Sequence, residues 1–335
     1  VDAIEAAQVL SEIGYLLRQD PEQRFRAKAF SAAARSLALE RPDLTALHQG
    51  NGLTTIEGVG AGIAKVLTEL METGHSRYLE RLREQMKQPA QPDESRLDFA
   101  AYQGDVHSHS NWSDGKATML DMARGAEAMG YHYLGVTDHS PRIKVVNGLD
   151  AERLLAQSRE MAEVQAQVPS VALLQGIEVD ILEDGSLDLP DMVLELLDVV
   201  IASPHVKLRQ EPAAMTERML RAVSHPHVNV IGHPTGRRPG SREGATYDFE
   251  AVFKEAARNH VALEIDCDPA RMDLSPEMAR LALELGCNFT VDADAHAPGE
   301  FAYVPMGLWM ARRAGIPKER ILNFLDVEAL TSALG

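Results

Sequence analysis

A β/α barrel preceded by a small all-helical segment is the architecture the sequence predicts, and three observations predict it. From about residue 101 onward, short β-prone runs alternate with longer helical ones. Before residue 88 the apolar spacing is near 3.6 and the segments are rich in alanine. Between the two, residues 87–96 are polar and carry Pro89 and Pro92, the composition of a linker. The expected division is therefore a helical domain over 1–87, a linker over 88–100 and a barrel domain over 101–335. A chain of 335 residues with 45% hydrophobic and 25% charged residues has room for two such unequal domains.

In the helical part, Ile4, Ala7, Val9, Ile13, Leu16 and Leu17 fall on one helical face, and Phe25, Ala29, Phe30, Ala33 and Leu37 on another. Asp20-Pro21 reads as a cap followed by proline in the first turn. In the barrel part, strands are expected at 102–107, 132–137, 171–177, 197–202, 228–232, 261–266 and 288–293, about seven in all. Low-complexity tracts and solenoid repeats are absent from the sequence.

The ends of these runs carry the information. The first ends at His107, with His109 two residues on and therefore on the same side. The second ends at Asp138-His139, the third at Glu178, the fourth at His205 and the fifth at His233. The sixth runs out around Asp266, and the seventh ends at Asp294 and His296. Six of the chain's 12 histidines occupy these positions. In a β/α barrel the loops at the C-terminal strand ends form the active-site face, so the pattern points to a metal centre. His132, His225, His227 and His260 precede or open strands and are expected on the opposite face.

Charge narrows the partners. The net charge is -17, and residues 1–95 carry 11 Lys/Arg against 14 Asp/Glu, a net of -3 that leaves -14 for the remainder. Tight non-specific binding of nucleic acid through many phosphates calls for a basic surface instead. No apolar run approaches the roughly 18–20 residues of a membrane span, and the first residues lack the features of a signal peptide. Two cysteines without CxxC spacing suit a reducing compartment, with a cytoplasmic location as the default.

Taken in order, GDVHSHSNWSDG, TDHS, GIEVD, SPH, GHPTGR and DADAH resemble the motif set of the PHP (polymerase and histidinol phosphatase) superfamily. VNGLDAERL, GHPTGRR, ALEIDCDPARMDLS and VPMGLWMARRAGI make the C-terminal PHP domain of bacterial family-X DNA polymerases the nearest resemblance. The resemblance implies a distorted seven-stranded β/α barrel holding two or three divalent ions. It implies a first metal on His107, His109, Glu178 and Asp294, with Glu178 bridging to a second on His205 and His233. A third metal would take Asp114, His139 and His296. Catalysis would then rest on Glu178, Asp294 and His233. The imidazole and carboxylate donors suit Mn, Zn or Fe. Asp105 and Asp138 are candidates to orient a ligand imidazole, the alternative being strand-end hydrogen bonding to backbone. Arg237, Arg238 and Arg271 are candidate phosphate clamps, or solvated loop arginines.

Leu53–Val66 resembles a helix-hairpin-helix motif, in which Gly58, Val59, Gly60 and Gly62 would bring backbone amides to a DNA phosphate. The whole of 1–87 resembles the N-terminal DNA-binding domain of family-X polymerases. The linker leads from it directly to the barrel, with no intervening polymerase core, so nucleotidyl transfer is not expected. The position of the relatives' lyase lysine is Val66, beside Lys65, which leaves lyase chemistry unsupported. The resemblance implies a phosphoesterase acting on DNA, by 3′ to 5′ exonuclease action or by 3′-end or abasic-site processing in repair. A small phosphate ester of the histidinol-phosphatase type is the alternative substrate. The further reading is a non-catalytic DNA-binding or scaffold protein, and the helical domain has its own alternative as a protein-interaction or dimerisation module.

Overall fold

A computed structural model describes residues 1–85 and 99–335. Most of the expected linker lies outside the described residues; its end forms a 3₁₀ turn at Phe99–Ala101.

The first five helices are α1 (Ala3–Arg18), α2 (Arg24–Glu40), α3 (Leu44–Gln49), α4 (Ala61–Thr73) and α5 (Arg77–Gln85). Local chemistry sets their ends. Asp2 and Glu5 form a capping box at the start of α1, Asp43 caps α3, and Gly74 closes α4 in the left-handed conformation. Asp20 caps a short 3₁₀ turn at Pro21–Gln23, so α2 begins three residues later than the Asp-Pro signal implies.

Seven parallel strands follow, in the order β1 to β7: Gly104–Asp105, Tyr133–Val136, Ala172–Asp180, Val199–Ser203, Val230–Ile231, Ala262–Asp266 and Phe289–Asp292. All seven expected strands are present. β1 and β5 shrink to two residues each, and β3 runs past Glu178 to Asp180. The intervening helices are α6 (Met119–Met129), α7 (Ala151–Gln167), α8 (Asp191–Leu194), α9 (Pro212–Val223), α10 (Phe249–Arg258) and α11 (Pro276–Glu284), with α12 (Val304–Ala314) and α13 (Val327–Leu334) after β7. Strands covered on both faces explain the nearly unbroken apolar runs, such as VVIAS in β4.

The barrel is nearly closed. β1 and β7 do not form a regular ladder; two aspartates exchange bonds across the gap instead. Asp105 accepts from the Ala293 N–H at 2.8 Å, and Asp292 accepts from the Val106 N–H at 2.9 Å. Further along, Ser108 and Ala295 form a parallel bridge.

Inside, the filling changes along the strands. Val106, Tyr133, Leu174, Val199, Ile201, Val230 and Ala262 form an apolar plug at the N-terminal end, capped by Leu330 and Leu334 of α13. Every second residue onward from that plug turns polar: Leu174 leads to Glu178 and Asp180, and Ala262 to Glu264 and Asp266. All four carboxylates are buried. The apolar end stabilises the barrel and the polar end is left for chemistry.

The helical segment sits against this barrel through α1. Glu12, 2% exposed, accepts from Arg83 Nε at 2.6 Å and from Trp309 Nε1 of α12 at 2.7 Å, while Tyr15 meets the Trp309 ring edge-on. Among the described residues no helix is long and apolar enough to cross a membrane.

Candidate metal centre

The Glu178 carboxylate, near the end of β3, is where the strand ends converge. Its Oε1 lies 2.8 Å from His233 Nε2 and 3.1 Å from His205 Nε2. Its Oε2 lies 2.9 Å from His139 Nδ1, 3.4 Å from His107 Nε2 and 3.5 Å from His109 Nε2. Asp294 Oδ1 stands 3.0 Å from His109 Nε2 and 3.7 Å from His107 Nε2. Asp114 Oδ1 completes the rim, 3.4 Å from His296 Nε2 and 3.6 Å from His139 Nε2. The nine residues expected as ligands thus meet in one cluster.

Three groups within it could each hold an ion: His109, Asp114, His139 and His296; His107, His109 and Asp294; and His139, Glu178 and His205. This grouping differs in detail from the expected one, because His109 and His139 each stand between two groups. His233 falls in none of the three, although it touches Glu178.

The backbone is bent to serve the cluster. His233 and Asp294 have φ of 27° and 48°, left-handed values that side-chain-bearing residues seldom adopt and that gather at functional sites. Gly115 sits so close to the chain that a Cβ there would lie 2.5 Å from the His109 carbonyl oxygen, so the turn after Asp114 admits only glycine.

The two aspartates expected to orient an imidazole do other work. Neither hydrogen-bonds an imidazole. Asp105 takes the N–H groups of His107 and Ala293, which closes the barrel seam. Asp138 accepts from Ser110, Ser113 and Gln157 and so fixes the turn that presents Asp114. Asp105, two residues before His107, is taken up by backbone N–H groups at the seam, and Asp138, directly before His139, by hydroxyl, backbone and amide donors, so neither reaches a ring.

The residues that do orient imidazoles lie elsewhere. Glu264 Oε1 is 2.5 Å from His107 Nδ1, and its Oε2 accepts from the His233 N–H at 2.5 Å. Asp180 Oδ1 is 2.8 Å from His205 Nδ1, and the Asp294 carbonyl is 2.8 Å from His296 Nδ1. Holding Nδ1 as donor leaves Nε2 as the free lone pair. Period-two reading of GIEVD and ALEID marks Asp180 and Glu264 as facing the same interior as Glu178 and Asp266. That signal was present in the sequence.

Of the three arginines, Arg271 alone reaches the cluster, its Nε 3.3 Å from Asp294 Oδ2 and 3.4 Å from Asp266 Oδ2. Arg237 spends its guanidinium on the Met272 carbonyl, and Arg238 is exposed. His132 is exposed and pairs with Gln103, away from the cluster.

Electrostatics divide the histidines. Burial, with His296 and His139 adding repulsion, holds His109 down to about 3. Burial, reinforced by Arg271, holds His233 down to about 3. Both are therefore neutral and free to donate a lone pair. Burial opposes the charge on Glu178, yet His205, His139 and His107 outweigh it and hold the carboxyl well below its ordinary range. The donor set fits divalent cations. His107 Nε2, both His109 nitrogens, Glu178 Oε2, His205 Nε2, His233 Nδ1 and Asp294 Oδ1 are buried without a hydrogen bond among the described residues, a costly state that metal coordination would relieve. No sulfur joins them, since buried Cys267 contacts the Ile265 carbonyl.

In the helical segment, Gly58 has φ of 78° and a Cβ there would press on Ala33, so this glycine is structural, and Val59 is buried. Gly60 and Gly62 have open space around them, at the first turn of α4, where helix N–H groups lack internal partners. They line an open groove of about 1090 Å³, together with Arg26, Lys65, Tyr78 and Arg81, and also Glu69, Glu80 and Glu84.

Comparison with known proteins agrees with this geometry. The helix-hairpin-helix domain family matches residues 4–76, and the PHP domain family matches residues 105–268. A Bacillus subtilis protein described as DNA polymerase/3'-5' exonuclease PolX is 38% identical over 236 residues, 70% of this chain. The match spans only 41% of that protein's length. A probable phosphatase of Thermoanaerobacter sp. strain X514 is 30% identical over 65% of this chain and 89% of its own. Among solved structures, a Lactococcus lactis histidinol phosphate phosphatase complexed with zinc, L-histidinol and phosphate covers 59% of this chain and 87% of its own. Its identity is 17% and its TM-score 0.44. The chain belongs to the PHP family, with a helix-hairpin-helix domain at its N-terminal side, and is a metal-dependent phosphoesterase.

A pH dependence follows for the metal-free protein. Burial opposes the charge on both His205 and His296, but Glu178 raises the first to about 9 and Asp114 the second to about 9, against an ordinary value of 6.5. The stability each adds is complete below pH 6.5 and disappears as pH rises through about 9. In chelator, Tm should fall between pH 6.5 and 9, and added Mn²⁺ should restore it at the upper end by taking the protons' place. A Tm that rises across that window in chelator would contradict the arrangement.

Proposed function

We propose that this protein is a phosphodiesterase that processes DNA ends, as a 3′ to 5′ exonuclease or a 3′-end or abasic-site repair activity. The observation that carries this reading is the coexistence of a buried imidazole-carboxylate cluster with a glycine-lined groove on the same chain. His107, His109, Glu178 and Asp294 would hold one ion, and Glu178, His205 and His233 a second. Asp114, His139 and His296 would hold a third. Two or three ions of Mn, Zn or Fe fit this donor set. Bound there, such ions activate water, polarise the phosphoryl oxygens and stabilise the leaving oxygen.

The chain's own residues do the rest. Glu178 and Asp294 bring the negative charge that the cations require. Glu264 and Asp180 fix the rings, so no reorganisation is needed at the moment of reaction. Arg271, one guanidinium edge against Asp294, is placed to add positive charge beside a phosphate. Gly60 and Gly62 would admit the DNA backbone to the amides of α4. The Bacillus relative's name supports the DNA reading. A small-molecule phosphatase is the second reading, favoured by the net charge of -17 and the phosphatase-named relative.

One measurement tests the cluster that both readings use, and a second separates them. Glu178→Ala should lower kcat/KM for bis(p-nitrophenyl) phosphate by at least about 10²-fold with circular dichroism unchanged, while His132→Ala stays within a few fold. Equal losses would place the chemistry elsewhere. Gly60→Val meets no steric conflict and should weaken oligonucleotide binding and cleavage, in a salt-dependent way, without slowing the small ester. Undiminished oligonucleotide cleavage by this variant would shift the assignment to the small-molecule phosphatase.

A further inference from the structure

Phe25 is 88% exposed, an unusual state for an aromatic residue in the first turn of a 17-residue helix. It stands between Arg24 and Arg26, with Lys28 one turn on, and all four are exposed. The two arginines lead to different parts of the molecule. Arg26 lies over the Tyr78 ring at 5.3 Å and lines the groove that holds Gly60 and Gly62. Arg24 lies against the loop after β5: a Cβ on Gly240 would sit 3.6 Å from its Nε and Nη2, and 3.2 Å from the Arg18 carbonyl. That loop includes His233, at the C-terminal face of the barrel. Successive helix residues diverge by 100°, so Phe25 leaves α2 between the side that faces the groove and the side that faces the loop after β5.

Resting on the DNA reading above, we propose that Phe25 is a stacking platform for a base of single-stranded DNA, passing from the helical groove to the barrel's metal cluster. An aromatic face flanked by cations is the arrangement that holds single strands without sequence preference: the ring stacks a base and the guanidinium groups meet the neighbouring phosphates. It also resolves an apparent conflict with composition. The groove contains Glu69, Glu80 and Glu84 as well as its basic residues, so stacking carries a share of affinity that charge does not.

The test is binding of a 3′-fluorescein-labelled oligo-dT to the full-length, Mn²⁺-loaded protein, with hydrolysis of bis(p-nitrophenyl) phosphate measured alongside. Phe25→Ala should weaken oligo-dT binding roughly ten-fold, Phe25→Trp should retain it, and turnover of the small ester should stay unchanged. Wild-type affinity in Phe25→Ala, with the parent protein cleaving the oligonucleotide, overturns the platform and leaves the DNA reading intact. A parent protein that neither binds nor cleaves the oligonucleotide overturns both. Parallel loss of small-ester hydrolysis, or a change of sedimentation coefficient in Phe25→Ala, would give Phe25 a structural or protein-contact role and overturn the proposal.

Discussion

Five imidazoles from four strand ends converge on the Glu178 carboxylate, and the open end of the barrel is organised around that convergence. The imidazoles around the Glu178 carboxylate are buried and repel one another when charged, so some rings must stay neutral. Burial achieves this for His109 and His233, while Glu178 keeps His205 protonated in the metal-free protein. A metal ion bound there would take the place of those protons. The remaining carboxylates serve this one: Glu264 aims His107 and pins the backbone of His233, and Asp180 aims His205.

The frame itself is paid for at the far end of the strands. Burying several carboxylates in one barrel is destabilising, and the apolar plug beneath them, closed by α13, offsets it. The Asp105–Asp292 exchange at the seam belongs to the same economy of the fold, because it lets β1 remain two residues long and still close the barrel. A short β1 is what frees the chain after Asp105 to place His107 and His109 at the mouth.

Much of this was legible in the sequence. The strand count followed from the alternation of runs, and the clustering of six histidines from their recurrence at strand ends. What escaped was the support. Asp105 and Asp138 lie within two residues of histidines in sequence, yet the folded chain gives them to backbone N–H groups, hydroxyls and the Gln157 amide instead. Glu264 lies 157 residues from His107 and meets it only once the barrel forms. The arginines were indistinguishable before folding: Arg237 and Arg271 differ only in which carbonyl or carboxylate the completed loops present. Phe25 was read as part of an apolar helical face; its neighbours at 26, 29 and 30 do turn to the groove or the core, while its own side chain is left outside.

The central claim is that the strand ends form a multinuclear metal centre about Glu178. Crystals grown with Mn²⁺ and measured at the manganese absorption edge test it directly. Anomalous difference peaks should number two or three, all within the set His107, His109, Asp114, His139, Glu178, His205, His233, Asp294 and His296, with at least one beside the Glu178 carboxylate. No peak in that set, or a single ion held without Glu178, would contradict it.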